Sequence, residues 1–206
     1  MYVVMSGKGK IRVGSEESPV QARSVVFVDA FVPHKFFDQG FWGRRNNPDA
    51  ERNIARLLQA WRSAKKPAVH IQHNSVMPRS PLRPDQPGNA FKPEAQLLPG
   101  EPIFGKTVNS AFIGTELEKY LREQEVNALV IAGLTTDHCV CTTTRIAGNL
   151  RFEVCLVGDA CATFAKKAPD GTVIAAEEVH RINLASLHGE FCTVSSTAEV
   201  LSEEPA

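Results

Sequence analysis

The segment Gly133-Leu134-Thr135-Thr136-Asp137-His138-Cys139-Val140-Cys141-Thr142-Thr143-Thr144-Arg145 holds the residue types best suited to covalent chemistry. It follows the buried strand expected from Asn127 to Ala132 (NALVIA) and leads through a tight polar turn into a helix expected from about Asp137 to Leu150. Cys139 therefore stands close to a helix amino terminus, where unpaired N–H groups and the macrodipole favour negative charge. Such a placement lowers a thiol pKa and makes a nucleophilic thiolate available near neutrality. The same N–H groups can hold a developing oxyanion. The competing reading is a structural thiol, since free cysteine also serves as a small core residue.

Asp29 is the second candidate. It directly follows Val25-Val26-Phe27-Val28, a short apolar run of the kind buried on both faces of a parallel sheet. An acid at the carboxyl end of such a strand lies where open α/β sheets bind ligands, most often where strand order reverses. In the common order 3-2-1-4-5-6, the strand before Asp29 is first and the strand before Cys139 is fourth. Acid and thiol then meet in the crevice between neighbouring strand ends. The alternative is an aspartate that merely caps the following turn.

The elements needed to position these groups can be read along the chain. Asn47-Pro48 predicts a helix start, with Asn as N-cap and Pro at the first helical position. Ile54, Leu57, Leu58 and Trp61 then form one apolar helical stripe. A strand from Ala68 to His73 follows, and the stretch Asn74 to Gly100 holds six prolines and reads as a long loop. Pro102 to Phe104 is a short strand, and Thr115 with Glu118 predicts a capping box for a helix carrying Leu117 and Leu121. A strand through Phe152 to Val157, a helix from about Val173 to Leu187 and a strand near Phe191 to Val194 complete the pattern. Alternating strands and helices predict an α/β fold: a single doubly wound, mostly parallel, Rossmann-like sheet with helices on both faces. Residues 1–22 form an extension, with YVVM and IRV flanking a turn at Ser6 to Lys10, and residues 23–206 form one domain.

Composition narrows the partners. Acidic and basic residues balance at 23 each, so nothing pulls the chain toward nucleic acid or an anionic membrane. That leaves a small molecule or a protein as the expected partner. Five cysteines without a CxxC pair argue against a disulfide framework and for a reducing compartment. The amino terminus lacks the apolar stretch of a secretory signal, and no run approaches the roughly 18 apolar residues of a membrane helix. The cytoplasm is the expected location.

GLTTDHCV followed by TTTR resembles the active-site turn of the isochorismatase-like cysteine hydrolases, which include nicotinamidases, carbamoyl-sarcosine and ureide amidohydrolases, and streptothricin hydrolase. VVFVDAF resembles the first strand and catalytic aspartate of that family, and GKTVNSAF its catalytic lysine with the Ser-Ala-Phe that follows. VGDACATF and HRINLASLHGEF also fit, so the resemblance spans roughly residues 22 to 200. It implies a catalytic set of Asp29, Lys106 and Cys139, with no cofactor. It also implies a non-proline cis peptide between Leu134 and Thr135, and an oxyanion site at the N–H groups of Thr135 and Cys139. The implied reaction is hydrolysis of a small-molecule amide or ureide through a thioester, in a homo-oligomer (dimer or tetramer). Phe31 and Trp42 of the aromatic loop, His73, Phe112 and His138 are the expected substrate contacts.

The chain departs from the nicotinamidases at their metal site. After the second core strand it has His70-Ile71-Gln72-His73-Asn74, without the aspartate those enzymes use. Two histidines three apart on a strand point to opposite faces and cannot chelate one ion together. No metal is therefore expected. His70 reads as structural, His180 and His188 as packing or capping residues, and Cys141, Cys155, Cys161 and Cys192 as structural thiols. Three other readings compete. One is cleavage of a vinyl ether, as in isochorismatase, and another is a binding member of the fold without turnover. The third is a nucleotide-binding loop, because Gly100 to Thr107 matches G-x-x-x-x-G-K-[ST].

Overall fold

The computed structural model describes residues 8–13, 16–21, 24–29 and 43–202, the first three segments as backbone. Ten strands and five helices alternate along the described residues. They are β1 (Lys8–Val13), β2 (Glu16–Gln21), β3 (Ser24–Asp29), α1 (Ala50–Ser63), β4 (Ala68–His73), β5 (Ile103–Lys106), α2 (Leu117–Glu123) and β6 (Ala128–Leu134). There follow α3 (Cys141–Asn149), β7 (Glu153–Ala162), β8 (Lys166–Lys167), β9 (Val173–Ile174), α4 (Ala176–Leu187), β10 (Thr193–Ser195) and α5 (Thr197–Ser202). Six strands make one wholly parallel sheet in the order β10-β7-β6-β3-β4-β5. Numbered by chain order within that sheet, this is 3-2-1-4-5-6. β3 and β6 are central neighbours, and the strand order reverses between them.

The expectation of a single sheet needs correction. β1 and β2 form their own antiparallel pair, and so do β8 and β9. Strands separated by only a few residues can pair only antiparallel, whereas joining a parallel sheet requires a crossover of a dozen residues or more. The turn expected at Ser6 to Lys10 is displaced as well, because Lys8, Gly9 and Lys10 already lie in β1. The YVVM run lies outside the described residues.

Burial explains why the six-stranded sheet is doubly wound. Every residue of β6 is buried, and its side chains alternate between two cores. Val130, Ala132 and Leu134 join Ile54, Leu57, Leu58 and Trp61 of α1 and Val200 of α5 on one face. Leu129 and Ile131 join Leu117 and Leu121 of α2, Ala147 of α3 and Leu187 of α4 on the other. A strand buried on both faces has no polar positions, which is why its sequence reads as continuously apolar.

Two helix starts differ from expectation. Helix α1 begins at Ala50 with Asp49 as N-cap, not at Asn47. Asn47 sits at φ +41°, a left-handed conformation that asparagine tolerates. Its amide is spent on the carbonyls of Cys161 at 2.7 Å and Gly158 at 3.2 Å, which ties the entry of α1 to β7. At α2 there is no capping box. The Thr115 hydroxyl accepts the Leu117 N–H and donates to the Ala111 carbonyl, while Glu118 faces Arg122 at 3.6 Å.

The proline-rich stretch between β4 and β5 is organised by one side chain. The Asn89 amide donates to the His73 carbonyl at 2.8 Å, to the Leu82 carbonyl at 2.9 Å and to Asn74 Oδ1 at 3.2 Å. Asn89 stands at the end of one short 3₁₀ turn (Pro87–Asn89), and a second follows at Pro93–Ala95. The loop is thereby held against the carboxyl end of β4.

Candidate active site

Strand register decides which residues meet at the carboxyl edge of the sheet. Asp29, the last residue of β3, lies opposite Gly133 of β6 on one side and Ile71 of β4 on the other. Its backbone thus stands between the Cys139 turn and the β4–β5 pair. The side chain of Asp29 is outside the described structure, as are Phe31 and Trp42.

On β4 and β5, His73 and Lys106 are direct register partners. Lys106 is 1% exposed, and its Nζ lies 3.2 Å from His73 Nδ1 and 3.4 Å from the Val108 carbonyl. An ammonium can only donate, so His73 Nδ1 is the acceptor and its ring is neutral. Burial, and then the Lys106 charge, lower the His73 pKa to about 4.

Cys139 comes from the other side. The Leu134–Thr135 peptide is cis, and residues Thr136–Val140 form a wide π-helical turn before α3. The Thr135 carbonyl accepts the N–H groups of His138 and Val140, both at 3.2 Å, which closes that turn around Cys139. The thiol is 3% exposed, with Sγ 3.8 Å from Asn109 Oδ1. Cys139 lines a cleft of about 220 Å³ together with His73, Met77, Leu82, Asn109, Thr135 and Lys166, among others. His138 lines the same cleft and is half exposed.

A polar network holds the turn from behind. Asp137 Oδ1 accepts the Thr163 hydroxyl, and Oδ2 lies 2.9 Å from Lys166 Nζ and 3.3 Å from His138 Nε2. Burial alone would raise the Asp137 carboxyl, but these hydrogen bonds and charges hold it below the usual carboxylate range. The Thr136 hydroxyl lies 2.8 Å from His180 Nδ1, and His180 Nε2 lies 3.4 Å from the Asn47 amide. His180 thus packs against the turn, and burial lowers its pKa. His188 Nδ1 accepts the Val194 N–H at 3.0 Å. Sequence reasoning missed Asn109, Asp137, Thr163 and Lys166. Asn109, Asp137 and Thr163 lie inside motifs already singled out, but nothing in the spacing brings Lys166 to this cleft.

Other expectations resolve differently. Phe112 is not among the residues lining the cleft; its ring stacks on Phe152 at 5.9 Å within the core around α2 and α3. His70 is fully buried on the opposite face of β4, with Nε2 2.8 Å from Glu101 Oε2. It cannot share an ion with His73, and no group of three metal-ligating side chains occurs among the described residues. Gly105 and Lys106 lie in an extended strand paired with β4, so Gly100 to Thr107 is not a loop opening into a helix. That removes the nucleotide-loop reading. All five cysteines are buried thiols, and burial pushes Cys192 up to about 12. No helix among the described residues is long and apolar enough to cross a membrane.

A family model of the isochorismatase domain matches residues 25–199. The chain belongs to the isochorismatase-like hydrolase family. Within it, the chain is 42% identical over 183 residues to the isochorismatase family protein YrdC of Bacillus subtilis, a match covering 89% of this chain and 96% of YrdC. A solved isochorismatase-family structure from Chromobacterium violaceum is 44% identical, with a TM-score of 0.83, covering 95% of this chain and 97% of that one. Streptothricin hydrolase of Streptomyces noursei is 32% identical over 157 residues, covering 74% of this chain and 58% of that protein.

Proposed function

We propose that this isochorismatase-like hydrolase cleaves the C–N bond of a small-molecule amide or ureide, with Cys139 as nucleophile. The observation that carries the reading is the position of Cys139. It is buried within the helical turn that leads into α3, it lines a cleft, and β3, β4 and β5, which carry Asp29, His73 and Lys106, end on the same edge of the sheet.

In this mechanism Asp29 accepts the Cys139 proton as Sγ attacks the carbonyl carbon. The oxyanion forms against the N–H groups of Thr135 and Cys139, at the positive end of the turn. Lys106 orients Asp29 and offsets the negative charge that builds up in the site. As the tetrahedral intermediate collapses, the C–N bond breaks and Asp29 returns its proton to the departing amine. Water then attacks the thioester and gives its proton to Asp29, and the acid leaves as the thiol is regenerated. The relation to streptothricin hydrolase supports hydrolysis within this family.

The test is ammonia release from a panel of small amides and ureides, comparing wild type with Cys139→Ala. Release by wild type, reduced at least about 10³-fold in the variant, is the expected result. Equal release by both proteins would sink the cysteine mechanism.

A further inference from the structure

The carboxyl ends of β4 and β5 are fixed from several sides. The Asn74 N–H donates to the Lys106 carbonyl at 2.7 Å, and the Asn89 amide donates to the His73 carbonyl at 2.8 Å. Asn74 Oδ1 accepts the same Asn89 amide, and Gly105 leaves room for this arrangement: a Cβ there would lie 2.7 Å from Asn74 Nδ2. These contacts hold the backbone of the register partners His73 and Lys106. Of the two, the imidazole lines the cleft and the ammonium does not; Lys106 is 1% exposed behind the ring.

A buried ammonium is costly unless its N–H groups are accepted. The Val108 carbonyl, two residues further along the same chain, is a long contact at 3.4 Å. His73 Nδ1 lies nearer, at 3.2 Å, and comes from the neighbouring strand. An imidazole offers that acceptor only while Nδ1 is unprotonated. Burial and the Lys106 charge keep the ring neutral, with its pKa lowered to about 4. The pair therefore carries one positive charge, on Lys106, throughout the neutral range. A lysine head stands on a flexible four-carbon stem, so its acceptors decide where its charge is held. We infer that His73 is a positioning residue for Lys106: its Nδ1 holds the ammonium in the place from which the charge favours the Cys139 thiolate. His73 neither gains nor loses a proton in the reaction and acts through the cation behind it. The inference rests on the hydrolase reading for the part Lys106 plays in turnover, but the coupling of the two residues can be measured on the resting thiol. Asp29 at the end of β3, His138 and Lys166 of the cleft and Asp137 behind it also titrate or carry charge at this edge, and they are the same in every variant compared.

The experiment measures the rate of iodoacetamide alkylation of Cys139 against pH, read by mass spectrometry of its peptide. It compares wild type, His73→Leu, His73→Asn, Lys106→Met and the double variant His73→Leu/Lys106→Met. Lys106→Met should raise the apparent thiol pKa and slow alkylation at pH 7 by about tenfold or more. His73→Leu should come within about threefold of Lys106→Met, and the double variant should fall no more than about twofold below Lys106→Met. His73→Asn, which places an amide oxygen near the position of Nδ1, should stay within about threefold of wild type. His73→Phe keeps a flat ring without the acceptor and replaces His73→Leu should that variant not fold. If Cys139 resists alkylation, the ultraviolet absorbance of its thiolate, wild type minus Cys139→Ala, reads the same pKa. Losses that multiply in the double variant, a His73→Leu thiol that behaves as wild type, a His73→Asn thiol that behaves as His73→Leu, or no effect of Lys106→Met would each overturn the inference. Absence of ammonia release in the amide panel bears on the hydrolase reading alone, so the two failures are distinguishable.

Discussion

Strand β4 carries two histidines three residues apart, and its two faces put them to opposite uses. On one face His70 joins Arg62 and Glu101 in a closed set. Glu101 accepts Arg62 Nε at 2.7 Å and Nη2 at 2.8 Å, the Leu98 N–H at 2.9 Å, and lies 2.8 Å from His70 Nε2. Burial alone would raise the Glu101 carboxyl, but these donors bring it down to about 2. On the other face His73 meets the buried Lys106, with Cys139 lining the same cleft. The first arrangement satisfies a carboxylate and fixes the loop before β5. The second sets a buried cation behind His73, which lines the cleft together with Cys139. Residue type alone does not separate a histidine that packs in the core from one that lines a cleft; the face of the strand does.

The sharpest way to break this comparison is to remove one charge from each face. Lys106→Met should lower kcat/KM for any accepted amide by about 10²–10⁴-fold, because it removes charge stabilisation at the reacting centre. A variant with near wild-type turnover would show that the Lys106 side is as structural as the Arg62 side. Glu101→Gln should do the reverse. It should cost about 1–3 kcal/mol of stability, a fall of several degrees in Tm, with kcat within about threefold of wild type. A stable Glu101→Gln with impaired turnover would invert the assignment of the two faces.

The smallest effect is in the pH dependence of stability. Burial lowers the pKa of His70, His73, His138 and His180, His73 to about 4. These rings are neutral in the folded chain at pH values where the unfolded chain protonates them. Their contribution is present above about pH 6.5 and is lost as pH falls through the folded pKa values. Urea unfolding should give midpoints that decline from pH 7 to pH 5, with proton uptake on unfolding. A midpoint that is flat across that range would show that the two faces titrate alike and are not proton-linked to folding.

Much of this architecture was legible in the chain. Val25 to Val28 and Ala128 to Ala132 read as buried parallel strands because no position in them is polar, and alternating elements read as a doubly wound sheet, for which 3-2-1-4-5-6 is the common order. Other features were hidden for definable reasons. Asn47 has the residue type of an N-cap, but its amide is claimed by carbonyls more than a hundred positions away. Phe112 stands in the right motif, but its ring direction is set by packing against Phe152. Lys166 and Asp137 are ordinary charged residues until β8 and the π-helical turn bring them within 2.9 Å.

By itself the sequence determined which residues are chemically able and in what order the strands carry them, because periodicity and residue type are local properties. It determined the placement of Cys139 at a helix amino terminus and of Asp29 at a strand end for the same reason. Only the tertiary structure decided that His73 faces Lys106 while His70 faces Glu101, and that Asn89 folds the proline-rich loop onto the cleft. Only it decided that Lys166 lines the cleft. Those are contacts between residues distant in the chain, fixed by strand register and burial, and no local pattern encodes them.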